Sequence, residues 1–148
     1  MSRRNIVLAK FAVTALWCAL LAAIIYGVGL VFGVILQLPG GSIPELWQGV
    51  VAAVMTTVLV IPVVLPFALV ASIGRGYLLP IGAAILTMMF VNFSLILGLG
   101  ESFPWAIPLI YAQGEITLAP FSYLLVMLTG IVGVAATVLW WKYADQSK

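Results

Sequence analysis

A chain of 148 residues that is 65% hydrophobic and 7% charged cannot present an ordinary soluble surface, because soluble domains carry about 25% charged residues. With no histidine and a single cysteine, Cys18, it lacks the usual general base, the usual metal ligand and any intrachain disulfide. Its net charge of +2 is spread over separate segments, which excludes a nucleic-acid surface.

Arg3, Arg4 and Lys10 precede the first apolar run, which predicts a span over about 11–36. The run is far longer than the ~7–15 residues of a signal-peptide core, so a retained span is expected. Cys18 lies within it as a small core residue. Turn formers from Leu38 to Pro44 end it. A second span follows over about 47–72, interrupted by Pro62 and Pro66, each of which removes a backbone donor and favours a kink. Gly74-Arg75-Gly76 turns the chain back into a third span, about 77–99, with Asn92 and Ser94 in its later half. The segment of about 101–112 is apolar but interrupted by Pro104 and Pro108, so it predicts a short re-entrant or interfacial helix; an apolar loop on the headgroups is the alternative. The last span covers about 121–141. The expected fold is all-α, a polytopic membrane protein whose residues 1–148 form one four-span membrane domain in the lipid bilayer.

Charge distribution adds an orientation. All six Lys and Arg residues fall at the ends or in the second turn, whereas Glu45, Glu101 and Glu115 occupy the other two connections. Segments on the cytoplasmic side are enriched in Lys and Arg, so both termini are expected in the cytoplasm. Trp47, Trp105, Trp140 and Trp141 fall at the expected boundaries, where amphipathic rings favour the headgroup region.

Small residues recur at helical spacing. Ala19, Ala23 and Gly27 are followed by the GxxxG pair Gly29 and Gly33, and Thr129, Gly133 and Thr137 repeat the spacing in the last span. Such stripes allow close helix approach, within the bundle or between subunits. Asn92, the most polar residue inside a span, is a candidate for helix packing or a substrate path.

The absences narrow the function. No Asp, Glu, Lys or Arg occupies the middle of a span, which argues against a carrier coupled to protons or sodium. No phosphate-binding loop is present, so ATP-driven work needs a separate subunit. Ser42, Ser72, Ser94 and Ser122 have no histidine to build a relay, so catalytic, cofactor and metal sites are not expected. Gln48, Thr56 and Thr57 are too few for the polar stripe of a channel.

Four stretches carry a family resemblance: Ser2 to Phe11, Ala71 to Gly76, Phe103 to Pro108, and Trp140 to Gln146. In this order they resemble the cytoplasmic lead-in, second cytoplasmic turn, outer re-entrant hairpin and cytoplasmic end of the membrane subunit of a type 2 ABC exporter, the bacitracin-resistance or lantibiotic-immunity kind. The resemblance covers essentially the whole chain and about the last four spans of a six-span permease, which implies a truncated permease or one half of a split one. It implies a non-enzymatic, multi-pass subunit of a bacterial plasma membrane, driven by a partner ABC ATPase and exporting a peptide antibiotic or other amphipathic substrate. It further implies ATPase contacts at Arg3, Arg4, Gly74, Arg75 and Gly76, and an outer gate at Pro104, Trp105 and Pro108. The chain would then act with itself, or with a missing permease half supplying the other spans. A second class stays open: a non-transporting immunity, assembly or anchoring factor acting through helix contacts such as the GxxxG face.

Overall fold

The computed structural model describes residues 3–37, 41–74, 76–114 and 118–143, the side chains of Arg3 and Arg4 excepted. Among these residues every regular element is helical, and no strand occurs. The helices are α1 (Arg3–Ile35), α2 (Ile43–Val64), α3 (Pro66–Ile73), α4 (Leu78–Ile96), α5 (Ile107–Gln113) and α6 (Pro120–Tyr143), with a 3-10 turn at Gly100–Ser102. Among the described residues, four stretches are long and apolar enough to cross a membrane: Asn5–Ile35, Ile43–Ile73, Leu78–Ile96 and Pro120–Tyr143. With no water inside a bilayer, each helix satisfies its backbone internally; α1 also extends outward through the polar residues ahead of its apolar run.

Local chemistry sets the element ends. Gln37 adopts φ 48° just beyond α1. Ser42 precedes α2, and its N–H donates to the Glu45 carboxylate at 3.1 Å, the reciprocal half of a capping box. Pro80 sits in the first turn of α4, where its missing N–H has no partner to lose. Gly114 ends α5 at φ 69°, a left-handed conformation that favours glycine.

The interruption between α2 and α3 is slight. Leu65 keeps helical dihedrals, φ −57° and ψ −37°, and the Ala68 N–H reaches back to the Leu65 carbonyl at 3.1 Å. Pro62 and Pro66 thus remove hydrogen bonds without turning the chain, and the two helices act as one broken span.

The ends of three spans meet. Trp141 Nε1 donates to Ser72 Oγ at 3.0 Å, and Lys10 Nζ lies 4.8 Å from the centre of the Trp141 ring. This basic end therefore gathers the start of α1, the end of α3 and the end of α6. Most other outward-facing positions are apolar, including Leu16, Ile25, Phe90 and Val132. A continuous apolar exterior of this kind is incompatible with water and suits acyl chains.

The core sits where the connection between α4 and α6 folds inward. Ala106 and Ile107 are fully buried, and they pack with Leu59 and Val63 of α2, Ile110 of α5 and Val126 of α6. Burial at this level rules out the alternative of a loop lying on the headgroups.

Candidate functional site

The inward hairpin, Gly100 to Gly114, is tied down at two points. At its base the Ser122 hydroxyl of α6 donates to the Glu101 carbonyl at 3.3 Å, and Ser122 is itself buried. At its tip Trp105 Nε1 donates to the Val63 carbonyl at 2.8 Å. Val63 lies three residues before Pro66. A proline ring pushes aside the carbonyls of the preceding turn, and in an apolar interior those acceptors need new donors. The Trp105 indole supplies one to the break in the second span.

Aromatic packing holds that donor in place. The Trp105 ring meets Phe67 of α3 edge-on at 6.4 Å, and Phe103 at 5.4 Å. Edge-to-face pairs of this type contribute about 0.5–1.5 kcal/mol beyond their buried area. Pro108 is buried in the first turn of α5, and Pro104 is half-buried beside Trp105. Trp105 thus reaches the proline break, with Pro104 next to it in the chain and Pro108 at the start of α5. Trp105 departs from the expected headgroup position, because its indole N–H finds a backbone acceptor inside the bundle. Ser122→Ala is expected to loosen the hairpin base, seen as faster deuterium exchange at Gly100–Phe103 and a stability loss of about 1 kcal/mol.

At the same break, α6 approaches through glycine. A Cβ on Gly130 would lie 2.7 Å from Pro62 Cβ, and one on Gly133 would lie 2.7 Å from Pro66 N. Gly133, expected to serve packing or a substrate path, lies in a close helix contact. Gly130 is its partner, at a spacing of three that the four-residue pattern of small residues does not include. Thr137 is buried, and its hydroxyl donates to the Gly133 carbonyl at 2.7 Å.

The remaining candidates are dispersed. Gly29 and Gly33 face open space, with nothing within 4 Å of where a Cβ would lie, so among the described residues no helix packs on the GxxxG pair. Asn92 is exposed and donates its amide to the Met88 carbonyl of its own helix at 2.8 Å. Gly74 and Gly76 are exposed at the basic end, and the Gly74 N–H caps α3 on the Val70 carbonyl. Arg75 lies outside the described residues, and Arg3 and Arg4 are placed only by their backbone at the start of α1.

A groove of about 490 Å³ separates α1 from α2, bounded by Cys18, Ile25, Tyr26, Ala53, Thr56 and Ala112 among others. Cys18 is thus a half-buried groove residue and not a core one. Tyr26 closes one end by donating to the Leu46 carbonyl at 2.8 Å. The Thr57 hydroxyl is occupied by the Ala53 carbonyl of its own helix, which leaves the walls mainly apolar. Such a cleft accepts hydrocarbon, not ions. Among the described residues, no cluster of acidic or thiol side chains could hold a metal ion, and no buried side-chain polar atom lacks a partner.

Four membrane-length helices around an inward hairpin define a multi-pass membrane protein. Residues 1–94 match the model of the ABC-2 family transporter proteins, well over half of the chain, and the protein belongs to that family of plasma-membrane transporter subunits. The match ends within α4, so the hairpin and α6 lie beyond it. Comparison with curated proteins gives no match, nor does comparison with solved structures.

Proposed function

We propose that the chain is the membrane-spanning component of an ATP-driven exporter for a peptide antibiotic or other amphipathic substrate in a bacterial plasma membrane. The family match over residues 1–94 carries this reading. The basic end faces the cytoplasm, since Lys10 and Lys142 lie there and the described acids Glu45 and Glu101 lie toward the other end. A partner ATPase docks against this end, at Arg3, Arg4 and Arg75 and at the exposed Gly74 and Gly76.

In this mechanism the ATPase moves the end of α3, and the proline break lets that movement proceed without bending all of α2. Trp105 and Phe67 transmit it to the hairpin, where Pro104, Trp105 and Pro108 form the outer gate. The apolar groove between α1 and α2 suits the hydrocarbon part of an amphipathic substrate.

The test is an affinity pull-down of the tagged chain from its native membrane in mild detergent. An ABC ATPase among the recovered proteins is the expected result. A co-purifying two-span protein would identify a split permease. A stably inserted chain that recovers neither would exclude the exporter reading. Arg75→Glu is expected to reduce ATPase recovery without loss of insertion; unchanged recovery would remove Arg75 from the contact surface.

One observation favours a second reading, a non-transporting membrane factor acting through helix contacts. Gly29 and Gly33 leave a smooth, unoccupied surface on α1, which another helix fits closely.

A further inference from the structure

The basic end contains a second groove, of about 800 Å³, between the start of α1 and the ends of α3 and α6. Its polar side chains include Asn5, Lys10, Ser72 and Trp141, and its apolar wall includes Ile6, Val13, Ala68 and Ala71. Asn5 and Ile6, Ala9 and Lys10, and Val13 and Thr14 are adjacent pairs repeated every four residues, which puts them on one face of α1, so cation and apolar wall share that face. Ala68 and Ala71 supply the concavity, because their side chains end at Cβ.

The cation is held ready. Ser72 Oγ donates to the Ala68 carbonyl at 2.7 Å and accepts from Trp141 Nε1, which fixes the indole plane. Lys10 then lies over the ring at 4.8 Å. Among the described residues no acid lines the groove, so none of them neutralises the ammonium. Ile6 and Val13 are both substantially exposed, which makes the apolar wall continuous with the outer surface of the bundle. A small hydrophilic anion would satisfy Lys10 but leave that wall uncovered.

We infer that this groove binds an anionic phospholipid, its phosphate against Lys10 and one acyl chain along Ile6, Val13, Ala68 and Ala71. The ligand needs negative charge and hydrocarbon in one molecule, at the depth where a span passes into the headgroup layer. Basic pockets between membrane helices recognise lipid in this way. The inference stands apart from the transport proposal, since it requires no ATPase and no substrate.

The experiment follows thermal unfolding of the purified full chain in detergent as lipid is added. Phosphatidylglycerol is expected to raise the midpoint in a saturable way, whereas phosphatidylcholine and inorganic phosphate are not. Lys10→Gln should weaken the apparent phosphatidylglycerol affinity about fivefold, the loss expected for one surface cation. Lys10→Arg should retain it. Ala71→Phe fills the groove without touching the charge and should abolish the saturable shift while leaving the lipid-free midpoint unchanged. Equal shifts with phosphatidylcholine or inorganic phosphate would overturn the inference, as would an unaltered titration in Lys10→Gln. Loss of a co-purifying protein in Ala71→Phe with lipid binding intact would give the groove to that protein instead.

Discussion

Trp105→Phe is expected to destabilise the bundle although it keeps an aromatic ring in the same place. The lost group is the indole N–H that donates to the Val63 carbonyl at 2.8 Å. Val63 is 5% exposed, and the proline three residues on has disturbed the turn to which its carbonyl belongs. A buried acceptor deprived of its donor costs about 1–3 kcal/mol. Thermal unfolding in detergent should read that loss. Deuterium exchange should rise around Phe103–Ile107 and around Val63–Phe67, because one contact restrains both. Trp105→Ala should lose more, as the packing with Phe67 and Phe103 goes too. If Trp105→Phe and the parent protein unfold at the same midpoint, the indole bond does not hold the hairpin to the break.

Gly133→Leu is expected to part α6 from the α2–α3 span. A Cβ at this position meets the Pro66 backbone nitrogen and ring at under 3 Å, and neither can rotate away. Gly133→Ala alone should cost about 1–3 kcal/mol, the usual range for overpacking a close contact. The leucine adds branches that only movement of α6 can accommodate. Gly130→Ala should behave like Gly133→Ala, since it meets Pro62 in the same way. Gly29→Ala and Gly33→Ala are the matched controls and should leave the midpoint of the isolated chain unchanged. A spin-label distance between α3 and α6 separates helix displacement from simple destabilisation.

These two sites show where the sequence is readable and where it is not. The span number is legible because hydropathy sustained over about 20 residues has few physical explanations. The hydrogen-bond break is legible too, since Pro62 and Pro66 cannot donate, although Leu65 stays helical and the chain does not turn there. Its partner is not. Trp105 bonds to a backbone carbonyl 42 residues away, and a carbonyl carries no side-chain signature to search for. Small-residue spacing had the opposite weakness. Gly29 and Gly33 match the familiar four-residue pattern yet face open space, whereas Gly130 and Gly133, three apart, make the close approach. Spacing states that a helix can be approached, and only the neighbouring helix decides whether it is. Asn92 likewise satisfied its amide on its own helix, an option open to any side chain that can reach back one turn.

The helices of this bundle differ widely in length. At about 1.5 Å per residue, the 19 residues of α4 extend roughly 28 Å and the 33 of α1 roughly 50 Å. Lys10, inside the third turn of α1, meets Trp141 beside Ser72, so about 38 Å of α1 runs on from that contact to its far end beside α2. Val34, Ile35, Leu36 and Ile43 lie at that tip and are strongly exposed. A hydrocarbon layer of ~30 Å covers α4 but not this apolar tip. Hydrophobic mismatch of this kind is relieved by tilt or by local thickening, at fractions of a kcal/mol per Å. The protein is thus a wedge in hydrophobic thickness, and the surrounding bilayer should stand taller along α1 than along α4.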